Sequence, residues 1–128
     1  MLKNILIPID GTDNSKKAIN TALDIADKTN AGIVAIHLVD DKLNIPYETL
    51  EDNANKMLLE VEELAKKRDI NAITHLIFAD PIRDISKAIT KSNCELIILS
   101  AYGEKNNQIG RVAKTILKEV EIPILLIK

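Results

Sequence analysis

The feature of this sequence that most constrains its fold is a regular alternation of short apolar runs with longer segments of helical spacing. The apolar runs occupy residues 2–9, 33–39, 72–79, 96–99 and 122–127 and are rich in Ile, Leu and Val. Runs of this length and density are typical of strands buried on both faces of a parallel sheet. We therefore predict five such strands.

The segments between the runs carry apolar residues at the spacing of amphipathic helices. Such stripes occupy residues 18–26, 50–65 and 112–120. Asp80 and Pro81 predict the start of a further helix, because Asp caps helices and Pro fits their first turn. A strand–helix pair repeated four times and closed by a strand predicts an α/β fold with helices on both faces of the sheet.

Length and composition exclude several classes of protein. The 128 residues are enough for a single domain, which we expect to span residues 1–128. Because 17 basic side chains face 19 acidic ones, for a net charge of −2, a general nucleic-acid binder is not expected. No apolar run is long enough to cross a bilayer. We expect a cytoplasmic protein with no nucleic-acid or membrane partner.

The usual motifs of catalysis and phosphate binding are missing from this sequence. Four glycines form neither a Gly-x4-Gly-Lys-Ser/Thr loop nor a Gly-x-Gly-x-x-Gly loop. His37 and His75, the two histidines, lie inside apolar runs, where we interpret each as a strand residue with a satisfied ring. Cys94, the single cysteine, is interpreted as a small buried hydrophobe. The sequence therefore predicts neither a hydrolase triad nor a zinc site.

Two acidic residues follow predicted strands at the sheet edge where open parallel sheets bind ligands. Asp10 either holds a metal–phosphate group or caps the turn into the first helix, and the spacing alone favours neither. Asp80 either accepts a phosphoryl group, as in a receiver domain, or caps the helix that follows. Its neighbour Pro81 favours the cap.

The closing strand, residues 122–127, is very apolar and has no helix after it. An apolar strand at the edge of a sheet invites pairing with a second copy. We therefore expect a homodimer formed through residues Ile124, Leu125, Leu126 and Ile127.

Five segments, taken in order and at their spacing, resemble the universal stress protein family over essentially the whole chain. They are residues 5–12 (ILIPIDGT) with Ser15 and Ala18 after them, 35–40 (AIHLVD), Asp80 and Pro81 with Ile85 and Ile89, 95–103 (ELIILSAYG), and the end of the chain from 110–113 (GRVA) to 123–128 (PILLIK). The resemblance implies a three-layer α/β sandwich of the adenine nucleotide alpha hydrolase-like type. Its parallel sheet would have five strands in the order 3-2-1-4-5 and four helices. It also implies dimerisation through the last strand and a role in the stress response.

Part of that family binds ATP through a loop of the form Gly-x2-Gly-x9-Gly-Ser/Thr, and this sequence departs from it. Ser100 replaces the first glycine, six residues separate Gly103 from Gly110, and Arg111 replaces the hydroxyl residue. Ala79 replaces the small residue, often glycine, that ends the third strand. A loop three residues shorter loses about 10 Å of reach if extended.

The role of Arg111 stays open at this point. It either grips a phosphate by charge, or points to solvent or an internal anion such as Asp10 or Glu104. A cation at a helix N-terminus is unfavourable by itself and indicates a nearby anion.

Two functions follow. The first is a dimeric, non-catalytic stress-response regulator that binds partners and has a degenerate nucleotide loop. The second is an ATP-binding switch, with Mg²⁺ or Mn²⁺ as cofactor, Asp10 on the metal side and at most slow hydrolysis. If nucleotide binds, the resemblance implies ten contact residues. They are Pro8, Ile9, Asp10, Leu38, Val39, Ser100, Gly103, Gly110, Arg111 and Val112.

Overall fold

The computed structural model describes residues 2–103 and 108–128. Strands and helices alternate along the chain as the sequence predicts. The strands are β1 (Asn4–Pro8), β2 (Gly32–Asp40), β3 (Ala72–Ala79), β4 (Leu96–Ser100) and β5 (Ile124–Ile127). The helices are α1 (Asp13–Thr29), α2 (Tyr47–Lys67), α3 (Ile85–Lys91) and α4 (Arg111–Glu119).

The strands form one sheet in the order β3-β2-β1-β4-β5, and each neighbouring pair is parallel. The predicted fold class and strand order are therefore confirmed. Leu6, in the central strand β1, pairs with Val34 of β2 on one side and with Ile97 of β4 on the other. The strand order reverses between β1 and β4, and this reversal opens a crevice beyond the carboxyl ends of the strands.

Alternate side chains of the strands point to opposite faces and form two apolar cores. On one face, Ile5 and Ile7 pack with Leu23 of α1 and Val61 of α2. On the other face, Leu6 packs in a second cluster that includes residues of α3 and α4. Two helices on each face of a five-stranded sheet give the predicted three-layer sandwich.

The prediction that every strand is buried on both faces is wrong for the two edge strands. Ile73 in β3 is 58% exposed, and Leu125 in β5 is 38% exposed. Both strands have a neighbour on one side only, and the helices cover the middle of the sheet more completely than its edges. The buried side chains of β1, β2 and β4 agree with the prediction.

The third helix begins later than predicted. Asp80 and Pro81 lie in a separate turn, and α3 starts at Ile85. The Asp80 carboxylate accepts hydrogen bonds from the amides of Ile82 and Arg83, both at 2.9 Å, and the Asp84 carboxylate accepts one from the amide of Asp80 at 2.9 Å. The prediction that Asp80 caps the third helix is therefore wrong, because its carboxylate caps this turn and Asp84 stands at the N-cap position of α3.

Within the two described ranges, none of the helices combines the length and the apolar character needed to cross a membrane.

Candidate functional site

A cavity of about 560 Å³ opens at the carboxyl end of the sheet, where the strand order reverses. The ends of β1, β2 and β4 form its floor, and the first turns of α3 and α4 contribute to its walls. Nine of the ten residues predicted to contact nucleotide line it. These are Pro8, Ile9, Asp10, Leu38, Ser100, Gly103, Gly110, Arg111 and Val112. Val39, the tenth, is buried and is not among the lining residues.

One wall of the cavity is an apolar slot that sequence reasoning missed in part. Ile36 joins the predicted Leu38 because both lie on the same face of β2, and Pro81, Ile85 and Leu99 complete the slot. Because residues two apart in a strand point to the same face, the prediction that Leu38 lines the site also indicates Ile36. Pro81 and Ile85 reach the cavity through the path of the chain after β3, which the sequence pattern does not specify.

His37 also lines the cavity and was not predicted there. Its Nδ1 lies 2.6 Å from the carbonyl oxygen of Ile9. Because a carbonyl can only accept, Nδ1 carries the proton of this bond. The expectation of a satisfied ring is met for His37, whereas His75 lies exposed on the edge strand β3.

Asp10 takes part in a turn that starts the first helix. Its Oδ1 accepts hydrogen bonds from the amide of Thr12 at 2.9 Å and from the Thr12 hydroxyl at 2.7 Å. The Thr12 oxygen in turn accepts the amide of Ser15 at 3.1 Å and so caps α1. Oδ1 of Asp10 therefore stabilises this turn, which is one of the two roles that the sequence allows for Asp10.

The donors around Asp10 do not form a metal site made by the protein alone. Among residues 2–103 and 108–128, no group of three or more His, Cys, Asp or Glu side chains could hold a metal ion. A cation beside Asp10 would need most of its ligands from phosphate oxygens and water.

The first turn of α4 faces the cavity with free backbone donors. Gly110 caps this helix without a side-chain hydrogen bond, and the amide of Lys114 is the first to donate within the helix, to the Gly110 carbonyl at 2.9 Å. The amides of Arg111, Val112 and Ala113 therefore lack helical partners. All three residues line the cavity.

Arg111 is exposed and lines both the cavity and a neighbouring cleft. Within the described ranges, no carboxylate lies within ion-pair distance of its guanidinium, so the alternative in which Arg111 pairs with Asp10 is not what the structure shows. Glu104, the other predicted internal anion, lies outside the described residues.

Backbone hydrogen bonds connect the two ends of the segment between β4 and α4. The Gly110 amide donates to the Ala101 carbonyl at 2.9 Å, and Tyr102 and Ile109 form an antiparallel bridge. A Cβ at Gly110 would lie 3.3 Å from the backbone nitrogen of Gly103. Glycine at position 110 therefore permits a close approach of two backbone segments.

The neighbouring cleft, about 470 Å³, is lined by carboxylates as well as by Arg111. Asp40, Asp80 and Arg83 line it together with Pro81 and Ile82. The backbone amides of Arg83 and Ile82 hold the pKa of Asp80 below its usual range, so this side chain is a carboxylate at neutral pH. Both amides donate to the same oxygen, Oδ1 of Asp80, which therefore caps the turn that precedes α3.

Cys94 is buried, as its interpretation as a small hydrophobe predicts, and it lies two residues before the start of β4. Burial raises the pKa of its thiol above the usual range. A thiol held in its protonated form is a poor nucleophile, which agrees with a structural role.

Comparison with known proteins places these features in a family context. Residues 1–128 match the model of the universal stress protein family. A universal stress protein of Methanocaldococcus jannaschii is 26% identical, over 100% of this chain and 83% of that protein.

Solved structures share the fold at low sequence identity. The universal stress protein of Archaeoglobus fulgidus in complex with dAMP has a TM-score of 0.80 at 17% identity, over 100% of both chains. A universal stress protein in complex with cAMP has a TM-score of 0.77 at 15% identity, over 99% of this chain and 97% of the other. These similarities extend the sandwich architecture to two proteins whose structures hold adenine nucleotides.

Proposed function

The chain belongs to the universal stress protein family, and we propose that it binds an adenine nucleotide in the cavity at the carboxyl end of its sheet. The nucleotide would set the state of a stress-response regulator. The observation that carries the proposal is one cavity that combines an apolar slot with the free N-terminal amides of α4.

The two parts of the cavity suit the two parts of a nucleotide. The apolar slot, which includes Ile36 and Leu38, offers apolar surface to a flat base, and the first turn of α4 offers amide donors and a positive dipole end to a phosphate. Its volume of about 560 Å³ is in the range of small-molecule sites. The dAMP and cAMP complexes of two proteins with this fold support the same assignment.

We propose binding without efficient turnover. Phosphoryl transfer depends on positioned charges and usually on a metal ion. In the described part of the chain, Asp10 is the one carboxylate that lines the cavity, and one of its oxygens is engaged by Thr12. ATP with Mg²⁺ or Mn²⁺ is the ligand form that the resemblance implies. Its metal would be held mainly by the phosphates, with Asp10 as the candidate protein ligand.

We further propose that the chain is a homodimer that pairs through β5. This strand borders the sheet beyond β4 and consists of Ile124–Ile127 without a charged residue. An edge strand presents unpaired backbone groups, and one without charged side chains can pair with a strand of another chain. We also propose that the protein lies in the cytoplasm. Its single cysteine is a free, buried thiol, and the cytoplasm keeps cysteines reduced.

A charge reversal at the phosphate end of the cavity tests the nucleotide proposal. Arg111→Glu removes the guanidinium and adds a repelling carboxylate, while an acidic residue in the first turn suits the helix dipole and leaves the fold intact. Lys114→Glu is the matched control, because it makes the same charge change in α4 on an exposed residue that does not line the cavity.

Isothermal titration calorimetry with AMP would give the result. We expect the parent protein and Lys114→Glu to bind AMP, and Arg111→Glu to bind at least tenfold more weakly with an unchanged midpoint of thermal unfolding. Equal AMP affinities in the two variants would overturn the placement of the phosphate, and no heat of binding in the parent protein would overturn the function.

A further inference from the structure

We infer that the cavity selects nucleoside monophosphates over di- and triphosphates, and that Arg111 together with the carboxylates of the neighbouring cleft sets this limit. The inference rests on the proposed function and narrows it. It depends on how many positive groups the cavity offers and on where a longer phosphate chain would have to go.

Among residues 2–103 and 108–128, the positive groups at the phosphate end suffice for one phosphate group. They are the free amides of Arg111, Val112 and Ala113 and the Arg111 guanidinium, the one cationic side chain that lines the cavity in the described ranges. A phosphate monoester carries a charge of about −1.5 to −2, and a guanidinium together with a helix end worth about half a charge offsets most of it. Asp10, also at the cavity, already opposes any further negative charge.

Other polar groups near the phosphate end of the cavity already form hydrogen bonds within the protein. The Gly110 amide donates to the Ala101 carbonyl at 2.9 Å, and the Ser100 hydroxyl donates to the Tyr102 carbonyl at 2.5 Å. The Asn14 side chain holds the Gly103 carbonyl at 2.9 Å. These bonds commit donors that a second or third phosphate would require.

The space next to Arg111 is unfavourable for further phosphates. The neighbouring cleft shares Pro81 and Arg111 with the cavity, and the carboxylates of Asp40 and Asp80 line it. Its other guanidinium, on Arg83, is paired with Asp84 at 3.0 Å. A phosphate chain that extends past Arg111 would therefore enter a space lined by the carboxylates of Asp40 and Asp80, where Arg83 pairs with Asp84 and the Lys42 ammonium lies 4.0 Å from the Asp80 carboxylate.

Titration calorimetry with AMP, ADP and ATP tests the selectivity, first in EDTA and then in Mg²⁺. In both buffers we expect AMP to bind at least tenfold more tightly than ATP, with ADP between them. Arg111→Ala should weaken AMP binding at least tenfold. Arg83→Ala, which removes a guanidinium from the cleft but not from the cavity, should leave AMP binding unchanged within twofold.

A charge-neutral cleft tests the cause of the limit. The double variant Asp40→Asn, Asp80→Asn keeps side-chain oxygens that can accept the turn hydrogen bonds, so the fold should persist. We expect it to strengthen ATP binding at least threefold and to leave AMP binding unchanged. Asp41→Asn is the control, because this exposed neighbour lines neither the cavity nor the cleft.

The outcomes separate the two proposals. ATP affinity equal to or above that of AMP in the parent protein would overturn the selectivity and leave the proposed function standing. An unchanged ATP affinity in the double variant would overturn the role of the cleft carboxylates. If none of the three nucleotides bound, the proposed function and the inference would both be overturned.

Discussion

Single residues set the shape of the turn that leads from β1 into the site. Gly11 follows Asp10 with φ +82°, a backbone region that side chains with a Cβ avoid. A Cβ at Gly11 would also lie 2.7 Å from the sulfur of Met57 in α2. Glycine at this position therefore serves both the backbone conformation and the packing of α2 against the turn.

Gly11→Ala should lower the free energy of unfolding by at least about 1 kcal/mol, because a left-handed residue with a Cβ costs about 1–2 kcal/mol. Urea denaturation measures this. Gly103→Ala is the matched control, since no atom of the described residues beyond its chain neighbours lies within 4 Å of a Cβ there and its φ is not positive. We expect its change to stay below about 0.5 kcal/mol. Equal losses in the two variants would contradict the account of Gly11.

Asp80 should make the stability depend on pH in acid. Its pKa is lower in the folded protein than the ordinary value, mainly because the Arg83 and Ile82 amides donate to the carboxylate. Such a group stabilises the fold above its unfolded pKa of about 3.9 and loses that contribution as the pH falls through the folded value. The deficit of Asp80→Ala in urea denaturation should therefore be largest at neutral pH and narrow below pH 4. A deficit that grows on acidification would contradict this assignment.

Among the helices, α1 and α3 show how far local sequence signals determine where an element begins. Thr is among the residue types that commonly cap helices, and Thr12 does cap α1. Asp80 and Pro81 give an equally clear signal, yet α3 starts at Ile85, because Asp80 and Asp84 bond to each other's backbone across a separate turn. A cap signal thus predicts where a helical turn begins, whereas packing against the sheet determines whether the helix continues from that turn.

Thr12→Ala should remove the cap of α1 and cost about 1 kcal/mol of unfolding free energy. The change also removes the bond from the Thr12 hydroxyl to Asp10, whereas the bond from the Thr12 amide to Asp10 remains. Thr21→Ala is the control within the same helix, because its hydroxyl only donates back to the Lys17 carbonyl and Ala is the better helix former. Chemical denaturation that found Thr21→Ala more damaging than Thr12→Ala would refute the capping role.

The strands were predictable because buried parallel strands leave dense apolar runs in the sequence. The apolar pattern by itself indicated the site only near the ends of the runs, as at Asp10 and Ser100, and the family resemblance supplied the others, such as Leu38 and Arg111. His37 and Ile85 reach the cavity through register and chain path, and neither has a local signature. The exposure of Ile73 likewise depends on β3 lying at the edge of the sheet, which strand order fixes and periodicity does not.

At the scale of the whole molecule, the strand order decides both where ligands bind and where copies could meet. It opens the crevice beyond β1 and β4 and leaves β3 and β5 as the two edges. Both edges carry exposed apolar side chains, Ile73 on β3 and Leu125 on β5. The proposed dimer uses the β5 edge, so the two edges should respond differently to an added charge.

Leu125→Lys should convert the dimer to a monomer, because it buries a charge in the proposed interface. Sedimentation equilibrium at tens of micromolar should give twice 14.2 kDa for the parent protein and 14.2 kDa for this variant. Ile73→Lys, the same change on the other edge, should remain dimeric. Thermal unfolding of both variants checks that they fold. A monomeric parent protein, or a dimer that Ile73→Lys dissociates and Leu125→Lys does not, would contradict pairing through β5.

The central claim is that one cavity at the strand-order reversal holds a nucleotide with its phosphate on the first turn of α4. The most direct test is an NMR titration of the ¹⁵N-labelled protein with AMP, read at the backbone amides. The account predicts that the amides of Arg111, Val112 and Ala113 shift the most and that those of β3 and β5 stay unchanged. Saturable shifts that leave these three amides unmoved, or no shifts at millimolar AMP, would contradict it.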